Sequence, residues 1–191
     1  MDSRNEKAIK TLLDGGIVIF PTDTAFGIGC RIDRRDAVDR LFTLRKRPIT
    51  QATPVLVSSI GMAMQYFMDP EDAVKRFMKT YWPGALTIVA PCEVSRVCER
   101  VRGGTETIGL RMPNHPDLLE IISSVGVPVL GPSANFHGEK TPFSFDEVNQ
   151  ELIRRVDYVL PGRCLSKQAS TVVSVLEGGI TVLRQGAVHV E

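Results

Sequence analysis

The chain has 191 residues, a formal net charge of +1, 43% hydrophobic residues and 24% charged residues. This composition excludes disordered, collagen-like and coiled-coil chains and is typical of a globular protein that forms one domain over residues 1–191. The longest apolar runs hold four or five residues, whereas a membrane helix needs about 20, so we expect no membrane contact. The first residues carry mixed charge without an apolar signal core, which indicates a cytoplasmic protein.

The amino-terminal half predicts helices that alternate with short strands. Residues 3–6 have the pattern of a capping box, which predicts a first helix that ends at Asp14. The β-branched run at residues 17–20 predicts a buried strand. Apolar residues at helical spacing predict a second helix over residues 34–45, and Pro70 predicts the first position of a third.

The carboxy-terminal half predicts more strands than helices. We expect helices over residues 116–124 and from Ser144 to Val156, and strands at residues 86–90, 108–111, 128–130, 158–160, 171–176 and 180–183. The last two strands predict a hairpin. Because several strands follow one another without a helix between them, we expect an α/β fold whose mixed sheet carries flanking helices.

The loop after the first strand, residues 21–29, brings hydroxyls, a carboxylate and two glycines together. Such groups at the end of a strand suit a small polar ligand. The alternative is a turn in which Thr22 and Asp23 satisfy their own backbone and Gly27 takes a positive φ. The loop lacks the third glycine of a dinucleotide fingerprint, and the chain has no phosphate-binding P-loop pattern, so a nucleotide would need another means of binding.

Basic residues concentrate in residues 31–47, where seven arginines and lysines stand against three aspartates. Arg45, Lys46 and Arg47 precede Pro48. The guanidinium groups of the two arginines could clamp a polyphosphate. The alternative is a solvated helix end. Arg111 ends a predicted strand, where an arginine usually binds a carboxylate or a phosphate.

Neutral hydrogen-bonding groups are frequent in a second loop, residues 131–142, which holds Ser133, Asn135 and Thr141. The loop has no nucleophile elbow, which disfavours a serine hydrolase. Ser170 opens one strand of the predicted hairpin and Arg184 ends the other, so the two could converge at one rim of the sheet. The four cysteines and three histidines have no metal-binding spacing, so we expect reduced thiols and no metal ligands.

Seven segments resemble, in order, the motifs of the YrdC-type L-threonylcarbamoyladenylate synthase family; they are residues 21–29, 45–48, 82–87, 111–113, 133–138, 170–173 and 183–184. The resemblance implies a twisted mixed sheet with a concave basic cavity. It also implies a nucleotidyltransferase that forms threonylcarbamoyl-AMP and pyrophosphate from L-threonine, bicarbonate and ATP. That product serves the threonylcarbamoyladenosine modification of tRNA, carried out by a downstream tRNA threonylcarbamoyltransferase complex.

The resemblance further implies a role for individual residues. ATP would be bound by Arg45, Arg47, Thr107, Ser133, Asn135, Thr141 and Arg184. L-threonine would be bound by Thr24, Arg111, Gly131 and Ser170. Arg45 and Arg47 would also be the catalytic residues, and Mg²⁺ would be held mainly by the triphosphate.

The chain departs from the family pattern at several positions. Arg45 replaces a lysine, Ser58 a histidine and Ser174 an aspartate, and the additional carboxy-terminal domain of the longer family form is absent from these 191 residues. A non-catalytic module that binds double-stranded RNA or tRNA is the alternative function. A carbamoyl-transfer module of the hydrogenase-maturation kind is a third. Because the net charge is small, we expect any tRNA binding to be weak and salt-dependent, through the surface of residues 31–47.

Overall fold

The computed structural model describes residues 2–190. Its helices are α1 (Ser3–Leu13), α2 (Arg35–Leu44), α3 (Ile60–Met64), α4 (Asp72–Tyr81), α5 (Glu99–Arg102), α6 (Pro116–Val125) and α7 (Gln150–Ile153). Its strands are β1 (Val18–Phe20), β2 (Gly27–Gly29), β3 (Val55–Leu56), β4 (Leu86–Pro91), β5 (Thr107–Arg111), β6 (Val129–Leu130), β7 (Tyr158–Val159), β8 (Thr171–Leu176) and β9 (Gly179–Arg184).

The strands form two mixed sheets. The smaller sheet has the order β2-β1-β7, and the larger has the order β6-β3-β5-β4-β8-β9. Parallel pairs join β1 to β7, β3 to β5 and β4 to β8, and the other pairs are antiparallel. The predicted α/β class with mixed pairing is confirmed, although two sheets form where the sequence indicated one.

A backbone bridge between Gly27 and Ser133 brings the two sheets together. It joins β2 to the loop that follows β6, and β6 also lies beside β2 through the bridge between Arg31 and Val129. The polar loops that leave β1 and β6 therefore face each other.

Apolar side chains from the helices cover the sheets. In α2 the residues that the sequence placed inward, Ala37, Val38, Leu41 and Phe42, are all buried. Helices α1 and α6 pack together, and Leu12 and Ile122 lie in the core between them. Each such buried side chain contributes about 1.5–3 kcal/mol. This packing fixes the strands whose ends carry the polar loops.

The turn between β8 and β9 confirms the predicted hairpin. Glu177 and Gly178 have φ angles of 51° and 77°. Two consecutive positive φ angles are typical of the tight turn whose twist matches that of paired strands. The hairpin places Arg184, at the end of β9, opposite Val172 near the start of β8.

The predicted starts of α1 and α4 were wrong. Asp2, rather than Ser3, caps α1, because its carboxylate accepts the N–H of Arg4 at 2.9 Å. Helix α4 begins at Asp72 instead of Pro70. The N–H of Met68 donates to the carbonyl of Pro91 at 2.9 Å, which holds the preceding chain against β4 and delays the helix.

The helix predicted from Ser144 to Val156 is also wrong. The segment forms a 3₁₀ turn over Phe145–Glu147 and then the short α7. Glu147 accepts the N–H of Phe143 at 2.7 Å, and Asn149 caps α7 by accepting the N–H of Glu151 at 2.9 Å. Two local side-chain caps compete with one continuous helix and divide the segment.

Candidate active site

A cavity of about 700 Å³, measured to its open mouth, lies where the two sheets meet. Its wall comprises Thr22, Thr24, Ala25, Phe26, Gly27, Arg45, Arg47, Pro54, Leu56, Thr87, Arg111, Gly131, Pro132, Ser133, Thr141, Ala169, Ser170 and Arg184. Four of these residues are arginines, and within residues 2–190 no carboxylate side chain belongs to the wall. The predicted concave basic cavity is therefore present, and it suits an anionic ligand.

A left-handed residue at the end of α2 brings two of the arginines to the cavity. Lys46 has a φ of 54°. Its N–H donates to the carbonyl of Thr43 at 3.1 Å, and the N–H of Arg47 donates to that of Phe42 at 3.0 Å. These two bonds define a Schellman turn. The turn places Arg45 and Arg47 in the cavity wall, while Lys46 is exposed and its Nζ lies 5.2 Å from the centre of the Phe136 ring.

Arg45 is a buried cation, with 3% of its surface exposed. Its Nε donates to the carbonyl of Asn135 at 3.0 Å. Its Nη1 is buried and has no hydrogen-bond partner within the described part of the chain. Burial lowers the pKa of Arg45 to about 10, and the charge of Arg47 adds to this effect. An anion in the cavity would satisfy this group.

Two backbone carbonyls of the segment that follows Pro48 hold the side chain of Arg47. Its Nε donates to the carbonyl of Gln51 at 3.3 Å, and its Nη2 donates to that of Ala52. Burial lowers the pKa of Arg47. The segment between Pro48 and Pro54 thus supports this arginine.

Arg111 ends β5 and is held from three directions. Its Nε donates to the carbonyl of Gly84 at 3.0 Å, its Nη1 donates to Oγ1 of Thr24 at 2.7 Å, and its Nη2 pairs with the carboxylate of Asp23. Burial lowers the pKa of Arg111, and the charge of Asp23 partly offsets this shift. The guanidinium is therefore fixed at the cavity wall and can receive a carboxylate.

Neighbouring strands extend this wall on both sides of Arg111. Leu56 of β3 pairs in register with Arg111. On the other side, Oγ of Ser170 lies 3.1 Å from Oγ1 of Thr87. Arg184 donates from Nη2 to the carbonyl of Ser170 at 2.7 Å and to its Oγ at 2.9 Å. The predicted convergence of Ser170 and Arg184 is present in the structure.

Gly131 lies close to Leu56 on the same wall. A Cβ at residue 131 would lie 2.3 Å from Cγ of Leu56. Only glycine fits beside this side chain, which leaves the backbone of the loop open to the cavity.

The loop at residues 21–29 combines both structures that the sequence allowed. Oγ1 of Thr22 accepts the N–H groups of Thr24 and Ala25 at 3.0 and 3.1 Å, as in the predicted turn. The positive φ predicted for Gly27 was wrong, because Gly27 lies in β2. A larger residue would not fit at this position, since a Cβ there would lie 2.6 Å from the ring of Phe20.

The structure brings together nine of the eleven residues that the resemblance assigned to ligands, namely Thr24, Arg45, Arg47, Arg111, Gly131, Ser133, Thr141, Ser170 and Arg184. The wall does not include Thr107, which is half-buried at the start of β5, or Asn135, which lies behind Arg45.

Sequence reasoning missed Leu56 and Thr87 in the wall and the partnership of Asp23 with Arg111. Leu56 belongs to a two-residue strand whose register is not visible in the sequence. Thr87 stood in a recognised motif, and its alternation with the buried Leu86 and Ile88 was the signal that could have placed it.

The basic segment at residues 31–47 has fewer unpaired positive charges than its composition indicated. Arg31, Arg34 and Arg40 form ion pairs with Asp33, Asp36 and Asp157 at 2.7, 3.0 and 2.8 Å. Arg45 faces inward. Of the other basic residues in the segment, Arg45 and Arg47 line the cavity, whereas Arg35 and Lys46 are exposed and do not line it.

No helix within residues 2–190 is long and apolar enough to cross a membrane. No cluster of histidine, cysteine, aspartate and glutamate side chains suited to a metal occurs in that range. All four cysteines are free, and Cys30 and Cys92 are buried.

Known proteins share this sequence pattern and this fold. A family model for Sua5, YciO and YrdC proteins, described as telomere recombination, matches residues 10–186. The chain belongs to the Sua5/YciO/YrdC family. A threonylcarbamoyl-AMP synthase of Bacillus subtilis (strain 168) is 31% identical over 191 residues, which are 100% of this chain and 55% of that protein.

Two further comparisons cover nearly the whole chain. A threonylcarbamoyl-AMP synthase of Marinobacter nauticus is 28% identical over 173 residues, which are 90% of each protein. The crystal structure of Pyrococcus abyssi Sua5 complexed with L-threonine matches with a TM-score of 0.90 at 28% identity, over 95% of this chain and 54% of that chain. This chain therefore spans about half the length of the Bacillus and Pyrococcus relatives.

Proposed function

We propose that residues 1–191 act as one YrdC-like domain that is an L-threonylcarbamoyladenylate synthase. The reaction joins L-threonine, bicarbonate and ATP into threonylcarbamoyl-AMP and releases pyrophosphate. The observation that carries the proposal is the buried Nη1 of Arg45, which has no hydrogen-bond partner within residues 2–190; over the same residues the cavity wall holds four arginines and no carboxylate. Such a wall favours a polyphosphate and disfavours a cationic or neutral ligand.

The amino acid would bind at the Arg111 side of the cavity. The guanidinium of Arg111 pairs with the carboxylate of threonine, and Thr24, Ser170 and the backbone at Gly131 supply neutral groups for the rest of the molecule. The amine of threonine adds to the carbon of bicarbonate, and loss of water gives N-carboxythreonine. No covalent bond to the protein is needed.

ATP would bind at the side of Arg45, Arg47 and Arg184. An oxygen of the carboxylate newly formed on the threonine nitrogen attacks the α-phosphorus, the bond from that phosphorus to the bridging β-phosphate oxygen breaks, and pyrophosphate leaves. The arginines offset the charge on the phosphates and on the leaving group, and this electrostatic stabilisation is the main catalytic contribution available here. This accounts for a nucleotidyltransferase without a catalytic cysteine or carboxylate pair.

Ser133 and Thr141 would orient the nucleotide from the loop after β6. We propose that Thr107 contacts the part of ATP that extends beyond the wall. Mg²⁺ would enter with the triphosphate and bind mainly to phosphate oxygens, because the wall offers arginines and hydroxyls rather than carboxylates.

The product would pass to a tRNA threonylcarbamoyltransferase complex in the cytoplasm. Direct contact with tRNA is a separate proposal. It would be weak and steeply salt-dependent, because three arginines of residues 31–47 are already paired with aspartates.

The proposal is tested by pyrophosphate release from the purified protein supplied with ATP, bicarbonate and L-threonine. Omission of any one substrate should abolish the release. Arg47→Ala should lower the rate about 10- to 100-fold, since one charge-assisted hydrogen bond contributes about 1.5–3 kcal/mol. Arg35→Ala, an exposed change in the same helix region, is the matched control. Pyrophosphate release that does not depend on an amino acid would reject the proposal.

A further inference from the structure

We propose that Asn135 is a positioning residue that acts on the nucleotide through Arg45 and does not bind the nucleotide itself. The inference rests on the proposed ATP site. Asn135 is 7% exposed, and within residues 2–190 it contacts Arg45 but does not belong to the cavity wall.

Asn135 holds two of the three nitrogens of the Arg45 guanidinium. Nε of Arg45 donates to the backbone carbonyl of Asn135 at 3.0 Å, and Nη2 donates to its Oδ1 at 3.4 Å. The guanidinium is planar, so two fixed nitrogens determine where the third one lies. That third nitrogen is Nη1, the buried atom without a partner in the described residues.

The side chain of Asn135 has no donor left for a ligand. Its Nδ2 donates to the carbonyl of Phe136 at 3.0 Å and to that of Glu139 at 2.8 Å. An amide nitrogen has two hydrogens, and both are used. The opposite orientation of the amide would place its oxygen against two carbonyls and its nitrogen against a cation, so the network permits only this one.

The same loop also holds the backbone around Arg45. The N–H of His137 donates to the carbonyl of Arg45 at 2.8 Å, and Nζ of Lys46 lies 5.2 Å from the centre of the Phe136 ring. Residues 135–137 therefore fix both the main chain and the guanidinium of Arg45. An ammonium group has one nitrogen and no planar fork, so it could not bind Asn135 and also present a fixed donor to the cavity; the arrangement depends on the arginine at this position.

A double-mutant cycle distinguishes positioning from a direct contact. The variants are Asn135→Ala, Arg45→Met and the pair together, and the measurements are the ATP dissociation constant by calorimetry and the KM values for ATP and L-threonine. Asn135→Ala should raise the ATP dissociation constant about tenfold, as expected for one hydrogen bond to a charged group. The KM for threonine should change less than twofold.

In the Arg45→Met background, the Asn135 change should have less than a twofold further effect on ATP binding, because the group it positions is gone. Asn149→Ala is the matched control, since Asn149 also uses its amide for a backbone bond but lies outside the cavity wall. It should leave both KM values unchanged.

Equal losses from Asn135→Ala in both backgrounds would overturn the inference, and so would a wild-type value for ATP binding. A wild-type protein that binds no ATP would instead reject the proposed function. If Asn135→Ala does not fold, Asn135→Ser carries the same cycle, because it also removes both Nδ2 donors and is judged by the same two outcomes.

Discussion

Asp23 and Arg111 form a buried ion pair between residues 88 positions apart in the chain, with 9% and 7% of their side chains exposed. The pair joins the loop after β1 to the end of β5 and fixes one side of the cavity. A buried pair of this kind contributes little net stability, but loss of one partner costs about 3–5 kcal/mol. The pair orients the guanidinium at the cavity wall, where we propose that the substrate carboxylate binds.

Arg111→Lys tests the amino-acid site while it keeps a positive charge beside Asp23. A single ammonium cannot replace the three contacts to Gly84, Thr24 and Asp23. We expect the KM for threonine to rise about 10- to 100-fold and the KM for ATP to change less than twofold. Steady-state pyrophosphate release gives both values.

Arg184→Lys is the matched variant and should reverse this pattern by raising mainly the KM for ATP. Equal effects of the Arg111 change on the two substrates would show that the amino acid binds elsewhere.

Serine lacks one methyl group of threonine, which a pocket discriminates by about 1–3 kcal/mol, so serine should be a poor but detectable substrate.

Arg45→Met should weaken ATP binding and raise the free energy of unfolding. Burial disfavours the charged guanidinium, whose Nη1 has no partner in the structure as described. Methionine is shorter than arginine but is apolar and removes the buried charge, so chemical denaturation should show a free energy of unfolding about 1–3 kcal/mol higher. ATP binding should weaken about 10- to 100-fold, as expected for the loss of one charge-assisted contact. A variant that is less stable than the wild type would mean that the buried charge is satisfied without a ligand.

Lys46 provides a test of the turn that positions the two arginines. A residue other than glycine in the left-handed region costs about 1–2 kcal/mol. Lys46→Gly and Lys46→Ala both remove the contact with Phe136, but only the glycine relieves the backbone at φ 54°. We expect the glycine variant to be about 1 kcal/mol more stable than the alanine variant in urea denaturation. Equal stabilities would contradict this account of the turn.

His115 should make stability sensitive to acid. Burial lowers the pKa of His115, and the charges of Asp117 and Asp23 only partly offset the shift. The unfolded chain therefore binds a proton at a higher pH than the folded chain. The free energy of unfolding should fall as the pH drops below about 6.5, the ordinary histidine value, toward the lower folded pKa.

His115→Asn separates this contribution from that of the carboxylates. Asparagine keeps an acceptor for the N–H of Leu118, which His115 now caps at 3.4 Å, but it does not titrate. Urea denaturation at pH 7 and pH 5 should show a smaller loss in this variant than in the wild type. His189→Asn, at an exposed position, should behave like the wild type.

The sequence predicted those features that depend on neighbours along the chain. The apolar stripe of α2, the hairpin of β8 and β9 and the cluster of arginines before Pro48 are local patterns, and all are present. Features that depend on tertiary contacts were missed. The two-residue β3 has too few residues to show a period, and only its pairing with β5 makes Leu56 part of the cavity.

The partners of the site residues could not be predicted for the same reason. Asp23 looked like a turn residue because its partner Arg111 comes from another sheet. Asn135 stood in a family motif, but nothing in the sequence showed that its side chain contacts Arg45 and its own loop. Spacing along the chain indicates which residues come together, but not which of them line the cavity.

The proposed reaction joins an amino acid, bicarbonate and ATP in one cavity. Mass spectrometry of the product formed from ¹³C-bicarbonate, L-threonine and ATP tests it most directly. We predict one species that contains threonine, AMP and the labelled carbon, formed in equal amount to pyrophosphate and reduced in Arg45→Met. AMP or ADP without the labelled carbon, at the same level with and without threonine, would contradict the account.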